Sequence, residues 1–435
     1  KKIEKKNLSN FESNLVLGLL EFKNKNYLKS EAYFNKLQPN IQNSLIYDIL
    51  KTSLNNWLVI EKTKDLKNIQ LIESLSNSNS NLKAIQKTFA NCYFDTESTT
   101  IEFQKIINNN DYDFSRYHFF FANYLSKKNN ITYAEKVIKE ASEKYPGNLL
   151  INQSNKTFKE KEKNRNQFNC KKSEHIIAEI FYIIGNALSS TGDYKLSNFY
   201  VNLSKYLNPN FISFESLLGE NFLILKKYDK AVKVYKKLGN GGSIYKWYSN
   251  KQIANILNEE NKKEESVSFL TKEYNKIDAN IYQTFEFANF LKNNKEYKKS
   301  IILYSNLLSA INENHNLYPK VLDRRGIAYE RSDEWELAEK DLLLSLKLSP
   351  DEPYVMNYLA YSWIEKEKNI NKAIKMLRKA NKLKKNDGYI TDSLGWALYK
   401  LKNYLQAKEY LRLAITLMPT DPVVNDHFAD CLWMN

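Results

Sequence analysis

Small and apolar residues recur along this chain with a helical period nested inside a longer one. Gly326, Ala360 and Gly395 lie 34 and 35 residues apart, and Ala338, Ala373 and Ala407 lie 35 and 34 apart. Upstream, Gly185, Gly219, Ala254 and Ala288 follow one another at 34, 35 and 34, and Ser197, Ala231, Ser266 and Ser300 keep the same intervals. Within each interval the apolar residues fall three and four apart in two runs, which predicts two amphipathic helices per unit. A small residue on each helix lets the pair approach closely, and Leu342, Leu394, Leu398 and Leu411 fill the space around those contacts. Pro350 and Pro419 fall where a second helix must stop, because proline cannot continue the hydrogen-bond ladder. A single helix pair cannot bury its own apolar face, so neighbouring units must stack into one continuous core. The predicted fold class is all-α, a solenoid of antiparallel helix pairs.

Four regions follow from the clarity of this register. Residues 1–148 read as degenerate helical repeats that sharpen toward their end. Leu17-Gly18 with Tyr27, Ala32 and Phe34 marks a first pair, residues 45–80 a second, Phe89-Ala90 and Phe103 a third. Ala122, Leu125, Ala134, Ile138, Ala141 and Pro146 mark a clean fourth. Residues 149–177 break the pattern and read as a polar basic linker or an irregular repeat, with Lys156, Lys159, Lys161, Lys163 and Arg165 in the densest basic run of the chain. Residues 178–318 are central repeats, closed by a loop of four extra residues within 310–318. Residues 319–435 are C-terminal repeats, the last one truncated inside its first helix, where Leu432 and Trp433 would stand exposed. The absence of an initiator Met at Lys1 gives the expectation that the natural N-terminus, with any export signal, lies outside this sequence.

Composition adds charge and little chemistry. The 435 residues carry 65 basic and 50 acidic side chains, a net +15. Residues 319–435 hold 19 basic and 17 acidic groups, or +2, which leaves +13 upstream. Solvated lysines spread over outer faces account for this without a nucleic-acid motif, and continuous basic stripes are not expected. No apolar run reaches the ~20 residues that span a bilayer. The cysteines, Cys92, Cys170 and Cys431, lie far apart, so neither a disulfide framework nor a zinc site is indicated. The four histidines, at 118, 175, 315 and 427, make no metal-ligand or catalytic spacing. His427 and Cys431 share a helix face, but nothing there activates a thiolate. The chain is read as non-enzymatic, with no cofactor and no metal.

The units resemble the tetratricopeptide repeat, in which a small residue and an aromatic on the first helix precede alanine and then proline on the second. Leu394-Gly395, Leu398, Ala407, Leu411, Ala414 and Pro419 carry the resemblance in one copy, and Gly326, Tyr329, Ala338, Leu342 and Pro350 in another. It implies a right-handed superhelix. Three longer stretches, 351–359, 387–396 and 421–427, are similar to long alphaproteobacterial members of that family, which implies an export signal and the periplasm, with the cytoplasm as the alternative.

In such arrays the first helix of each pair lines the inner surface. Counting three before, one after and four after the small residue places Asn357 and Tyr361, then Asp392, Trp396 and Tyr399, then Asp426 and Asp430 on one inner stripe. These seven are the candidate partner site, acids interleaved with aromatics for a basic or amide-rich peptide. Lys251 and Asn255 with Lys320 and Arg324 resemble the carboxylate clamp of some repeat co-chaperones, although Glu286 stands where the clamp has asparagine. The function expected is a scaffold or adaptor for protein partners in the bacterial cell envelope. An anion-binding module for RNA or acidic lipid, and the regulatory array of an enzyme whose catalytic domain lies elsewhere, stay open as alternatives.

Overall fold

A computed structural model describes residues 10–38, 44–75, 80–162 and 165–434. Among them every regular element is helical and no strand occurs. The chain divides into two compact units, Lys1–Leu270 and Thr271–Asn435. In the first unit α1 (Phe11–Lys23) pairs with α2 (Tyr27–Asn35), and α3 (Ser44–Thr63) is followed by a 3-10 segment, Leu66–Ser74. Next come α4 (Ser80–Phe94) with α5 (Thr99–Ile107), α6 (Tyr117–Lys127) with α7 (Ile131–Lys144), and α8 (Leu149–Glu160). The remaining pairs are α9 (Ser173–Ser190) with α10 (Tyr194–Leu207), α11 (Phe214–Ile224) with α12 (Tyr228–Leu238), then α13 (Ser243–Glu259) before α14 (Lys263–Tyr274), which carries the division. In the second unit α15 (Ile281–Asn293) pairs with α16 (Tyr297–Ala310), and α17 (Tyr318–Glu330) with α18 (Trp335–Leu348). The last elements are α19 (Pro353–Glu365) with α20 (Ile370–Leu383), α21 (Gly388–Lys400) with α22 (Tyr404–Leu417), and α23 (Pro422–Met434).

The turn inside each pair is one device used again and again. A residue in the left-handed region ends the first helix, and the next N–H reaches back to the carbonyl five residues earlier, the Schellman closure. Lys25, Asn129, Lys226, Lys295, Asp333 and Lys402 hold that conformation, with φ between 54° and 63°. The matching bonds run from Asn130 N–H to the Leu125 carbonyl, from Glu334 to Tyr329 and from Asn403 to Leu398. Gly192 alone in this series is a glycine, at φ 88°.

Close helix contact explains the small residues. An added Cβ at Gly395 would lie 2.7 Å from Leu411 Cγ and 3.1 Å from the Leu411 backbone nitrogen. At two of the serine positions the hydroxyl bonds across the contact, Ser266 Oγ donating to the Ala254 carbonyl at 2.6 Å and Ser30 Oγ to that of Gly18 at 2.9 Å, while Ser300 Oγ donates to the Tyr297 carbonyl of its own helix. Ser30 therefore fills the second-helix position of the first pair, and Ala32, the residue expected there, is exposed.

The 149–177 stretch is partly helix and partly extended. α8 takes Leu149–Glu160, Lys161 turns left-handed at φ 53°, and Lys163 of the basic run lies outside the described residues. Beyond it, Asn166, Phe168 and Cys170 are buried while Arg165, Gln167 and Lys171 are exposed. Asn166 Oδ1 accepts from the Ser213 N–H at 2.8 Å, and Phe168 meets Phe120 at 4.5 Å between ring centroids. Cys170 is joined to Cys92 on α4 in a disulfide, with Cα atoms 5.8 Å apart. This corrects the expectation that the spacing of the cysteines indicates no disulfide. The two partners are 78 residues apart, and only the fold brings them together.

Candidate functional site

The seven inner-stripe residues come from α19, α21 and α23, and the structure gives them unequal roles. Asp392 is 5% exposed, and both its oxygens lie within reach of His427 Nδ1, at 2.9 and 3.1 Å. The free acceptor expected at Asp392 is therefore already engaged from within the fold. His427 stacks on Trp396, with centroids 4.0 Å apart and rings 11° from parallel. Trp396 stacks in turn on Tyr399 at 4.8 Å and 8°. Its indole N–H donates to Glu365 Oε1 at 2.7 Å, and the Lys400 ammonium lies 4.9 Å from its ring centre. Only 8% of Trp396 remains exposed, so it supports the stripe more than it faces outward.

Tyr361 and Tyr399 are half-buried and border this ladder, Tyr361 at 6.4 Å from His427. Burial, together with the Glu365 and Asp392 carboxylates, pushes the Tyr361 phenol up to about 12, so it stays a neutral donor. Asp426 and Asp430 are exposed on α23. Asn357 Oδ1 is shielded from solvent and accepts no hydrogen bond from the described residues. A buried acceptor without a donor costs about 1–3 kcal/mol.

His427 is the member that the sequence reading left out of the stripe. It sits 35 residues after Asp392, one repeat further on, and its ring fills the gap between successive first helices. The available signal was that repeat-length offset from an acid. The same theme of indole on carboxylate recurs one repeat earlier, where Trp363 Nε1 donates to Glu339 Oε1 at 2.5 Å.

The proposed clamp residues are divided between the two units. Lys251 and Asn255 are on α13 of the first unit, Asn255 exposed with its amide 3.3 Å from Gln252 Oε1. Lys320 and Arg324 are exposed on α17 of the second unit, where Arg324 lies 3.3 Å from the Asp323 carboxylate. Among the described residues no group of three histidine, cysteine or acidic side chains is placed to hold a metal, and no helix is long and apolar enough to cross a membrane.

A tetratricopeptide repeat family model matches residues 393–421, which run from the middle of α21 through α22 to the turn before α23. The TPR repeat-containing protein PA4667 of Pseudomonas aeruginosa is 30% identical over 139 residues, covering 31% of this chain and 22% of its own length. The chain thus spans about a fifth of the curated relative it matches. A tetratricopeptide repeat protein from Parabacteroides merdae aligns with a TM-score of 0.46 at 12% identity, over 59% of this chain and 98% of that one. The Cut9–Hcn1 hetero-tetramer of the APC/C gives a TM-score of 0.43 at 13% identity, over 95% of this chain and 75% of that one.

Proposed function

We propose that this chain, a tetratricopeptide-repeat protein, is a non-enzymatic scaffold that holds a protein partner along the inner stripe of its C-terminal repeats. Repeats of this kind are protein-interaction scaffolds, and the finer reading rests on one observation. Two half-open tyrosines and two exposed aspartates lie on the same stripe as a ring stack in which Asp392 and the Trp396 indole N–H are already paired within the fold. Tyrosine offers contact area at low entropy cost, and the acids supply acceptors for lysine, arginine or amide groups.

The test uses Tyr399 and Asp430, which carry less of the fold than Trp396 or Asp392. A photo-crosslinking residue at position 399 identifies the partner. Calorimetry with the purified pair then compares the parent chain with Tyr399→Ala and Asp430→Asn. Tyr399→Ala is expected to weaken binding by about 1–2 kcal/mol, roughly tenfold, and to lower the melting temperature modestly because its ring stacks on Trp396, whereas Asp430→Asn should leave the melting temperature unchanged. A partner that binds both variants as tightly as the parent would end the proposal.

The cell-envelope setting belongs to the same reading. A disulfide between Cys92 and Cys170 suits an oxidising compartment such as the periplasm. Alkylation of intact cells with a maleimide, before and after reduction, reads the two thiols directly. Free thiols at both positions in the native protein would remove this support.

A further inference from the structure

The first unit carries a second recessed surface that the C-terminal stripe does not use. A cavity of about 1070 Å³ opens among α3, α4, the 112–117 loop, α8, α9, α11 and α13. Its lining mixes aliphatic side chains, Ile49, Ile85, Ile183 and Leu217 among them, with aromatic and polar ones. Its charge departs from the rest of the molecule. Of 29 lining residues only Arg116 is basic, against about four at the chain's overall share of lysine and arginine, 65 of 435. Asp113, Glu179 and Glu220 face that one cation, so the cavity has a net charge of −2 in a chain of +15.

These acids are not equivalent. Glu179 is saturated, since Arg116 grips it through Nε at 2.6 Å and Nη2 at 3.0 Å. Glu220 is exposed, and the Tyr248 hydroxyl donates to Oε1 at 2.7 Å. Its Oε2 takes no partner from the described residues. Asp113 is likewise exposed, with only Oδ1 engaged, by the Ser115 N–H at 2.9 Å. Two outward carboxylates therefore lie beside aliphatic side chains with no cation paired to them among the described residues.

We infer that this cavity is a second docking site, for a partner-protein segment that carries lysine or arginine between aliphatic side chains. The cation would pair with Glu220, and its aliphatic neighbours would cover Ile183 and Leu217. The lack of lysine in the lining is what selects this occupant, because an acidic or phosphorylated segment would meet two uncompensated carboxylates. The site lies within residues 46–248 and does not depend on the C-terminal stripe.

The experiment is fluorescence anisotropy on the full chain with two labelled synthetic peptides, one with lysine flanked by leucines and one with glutamate in its place. The lysine peptide is expected to bind and the glutamate peptide to bind at least about tenfold more weakly. Glu220→Gln should weaken the lysine peptide about fivefold, and Glu220→Lys should abolish its binding while leaving the circular dichroism melt unchanged. Asp430→Asn in the second unit should leave it unaltered. Equal affinity for the two peptides, no binding up to millimolar concentration, or indifference to Glu220→Gln would each overturn the inference. Loss of binding in Asp430→Asn alone would move the peptide to the C-terminal stripe and overturn it as well.

Discussion

Replacing Arg116 with methionine should cost the first unit about 3–5 kcal/mol, and acid should return part of that loss. Arg116 holds the Glu179 carboxylate by two bonds, reaches Ser213 Oγ at 3.2 Å, and lies 4.0 Å from the Tyr182 ring centre and 5.0 Å from that of Phe211. The Glu179 side chain is 1% exposed. Burial would lower the Arg116 guanidinium, but the adjoining carboxylate overrides it and keeps the arginine charged. Removing one partner of such a pair leaves an uncompensated buried charge, worth about 3–5 kcal/mol, whereas replacing both by apolar groups is often neutral. That loss is a large share of the ~5–15 kcal/mol by which domains are stable. In Arg116→Met the lone Glu179 would take up a proton in the folded state at a pH where the unfolded chain has lost it. Its folded pKa is then the higher of the two. The variant's stability is thus fullest below the unfolded value and falls as pH rises through the folded one, by up to about 1.4 kcal/mol per unit. Urea unfolding at pH 5 and pH 8, with hydrogen exchange of the α6 and α9 amides as the local readout, measures both effects. The double variant Arg116→Met/Glu179→Leu should recover most of the loss. Additive single effects, or a deficit in Arg116→Met that is the same at both pH values, would refute the reasoning.

His175 predicts an acid weakness elsewhere in the first unit. Burial, with Lys172, Lys127 and Lys23 nearby, lowers it from an ordinary 6.5 to about 4, and its Nδ1 accepts the Asn169 N–H at 3.1 Å, which a proton would forbid. The unfolded chain therefore binds the proton first, and stability should fall between pH 6.5 and pH 4, on the order of 2 kcal/mol for a partly exposed group; a His175→Gln variant with the same slope of melting temperature against pH would refute this. Glycine contacts give a contrast in sign: Gly395→Ala should lower stability by about 1–3 kcal/mol because Leu411 must move. Gly147→Ala, with nothing within 4 Å of the new carbon, should be neutral or raise it by about 0.4–1 kcal/mol. Thermal unfolding of the pair checks both, and equal shifts would count against the packing argument.

The second unit was legible because its stabilising contacts translate along the sequence. Gly326, Ala360 and Gly395 each meet the second helix of their own pair, so one periodicity exposed both the helices and their packing. The turns were harder to see. Left-handed closures normally advertise themselves through glycine, and here Lys25, Lys226, Lys295 and Lys402 adopt that conformation instead. The site was half visible for a related reason. Counting along one helix put Asp392, Trp396 and Tyr399 on the inner stripe but could not say what faces it from the next helix. His427 occupies that place, and it turns Asp392 and Trp396 from contact groups into supports.

The same limit accounts for the first unit, where the ties run across the register instead of along it. The segment from Arg165 to Lys171 alternates exposed and buried side chains, which is the mark of extended chain. Each buried residue makes a different long-range tie: Asn166 to Ser213 and Tyr245, Phe168 to Phe89 and Phe120, Cys170 to Cys92. Arg116 spans 63 residues to Glu179, and Ser173 Oγ spans 112 to Glu61 Oε2. A solenoid held only by nearest neighbours can open from an end, one repeat at a time. These ties link helices that are not neighbours, so opening α4 or α6 alone would break contacts with the 165–171 segment, α9 or the 208–213 turn as well. The first unit should consequently open as one cooperative body, while the translated contacts of the second permit stepwise opening. A docking surface built across seven elements, as the acidic cavity is, needs that cooperativity, because any one helix leaving would dissolve it.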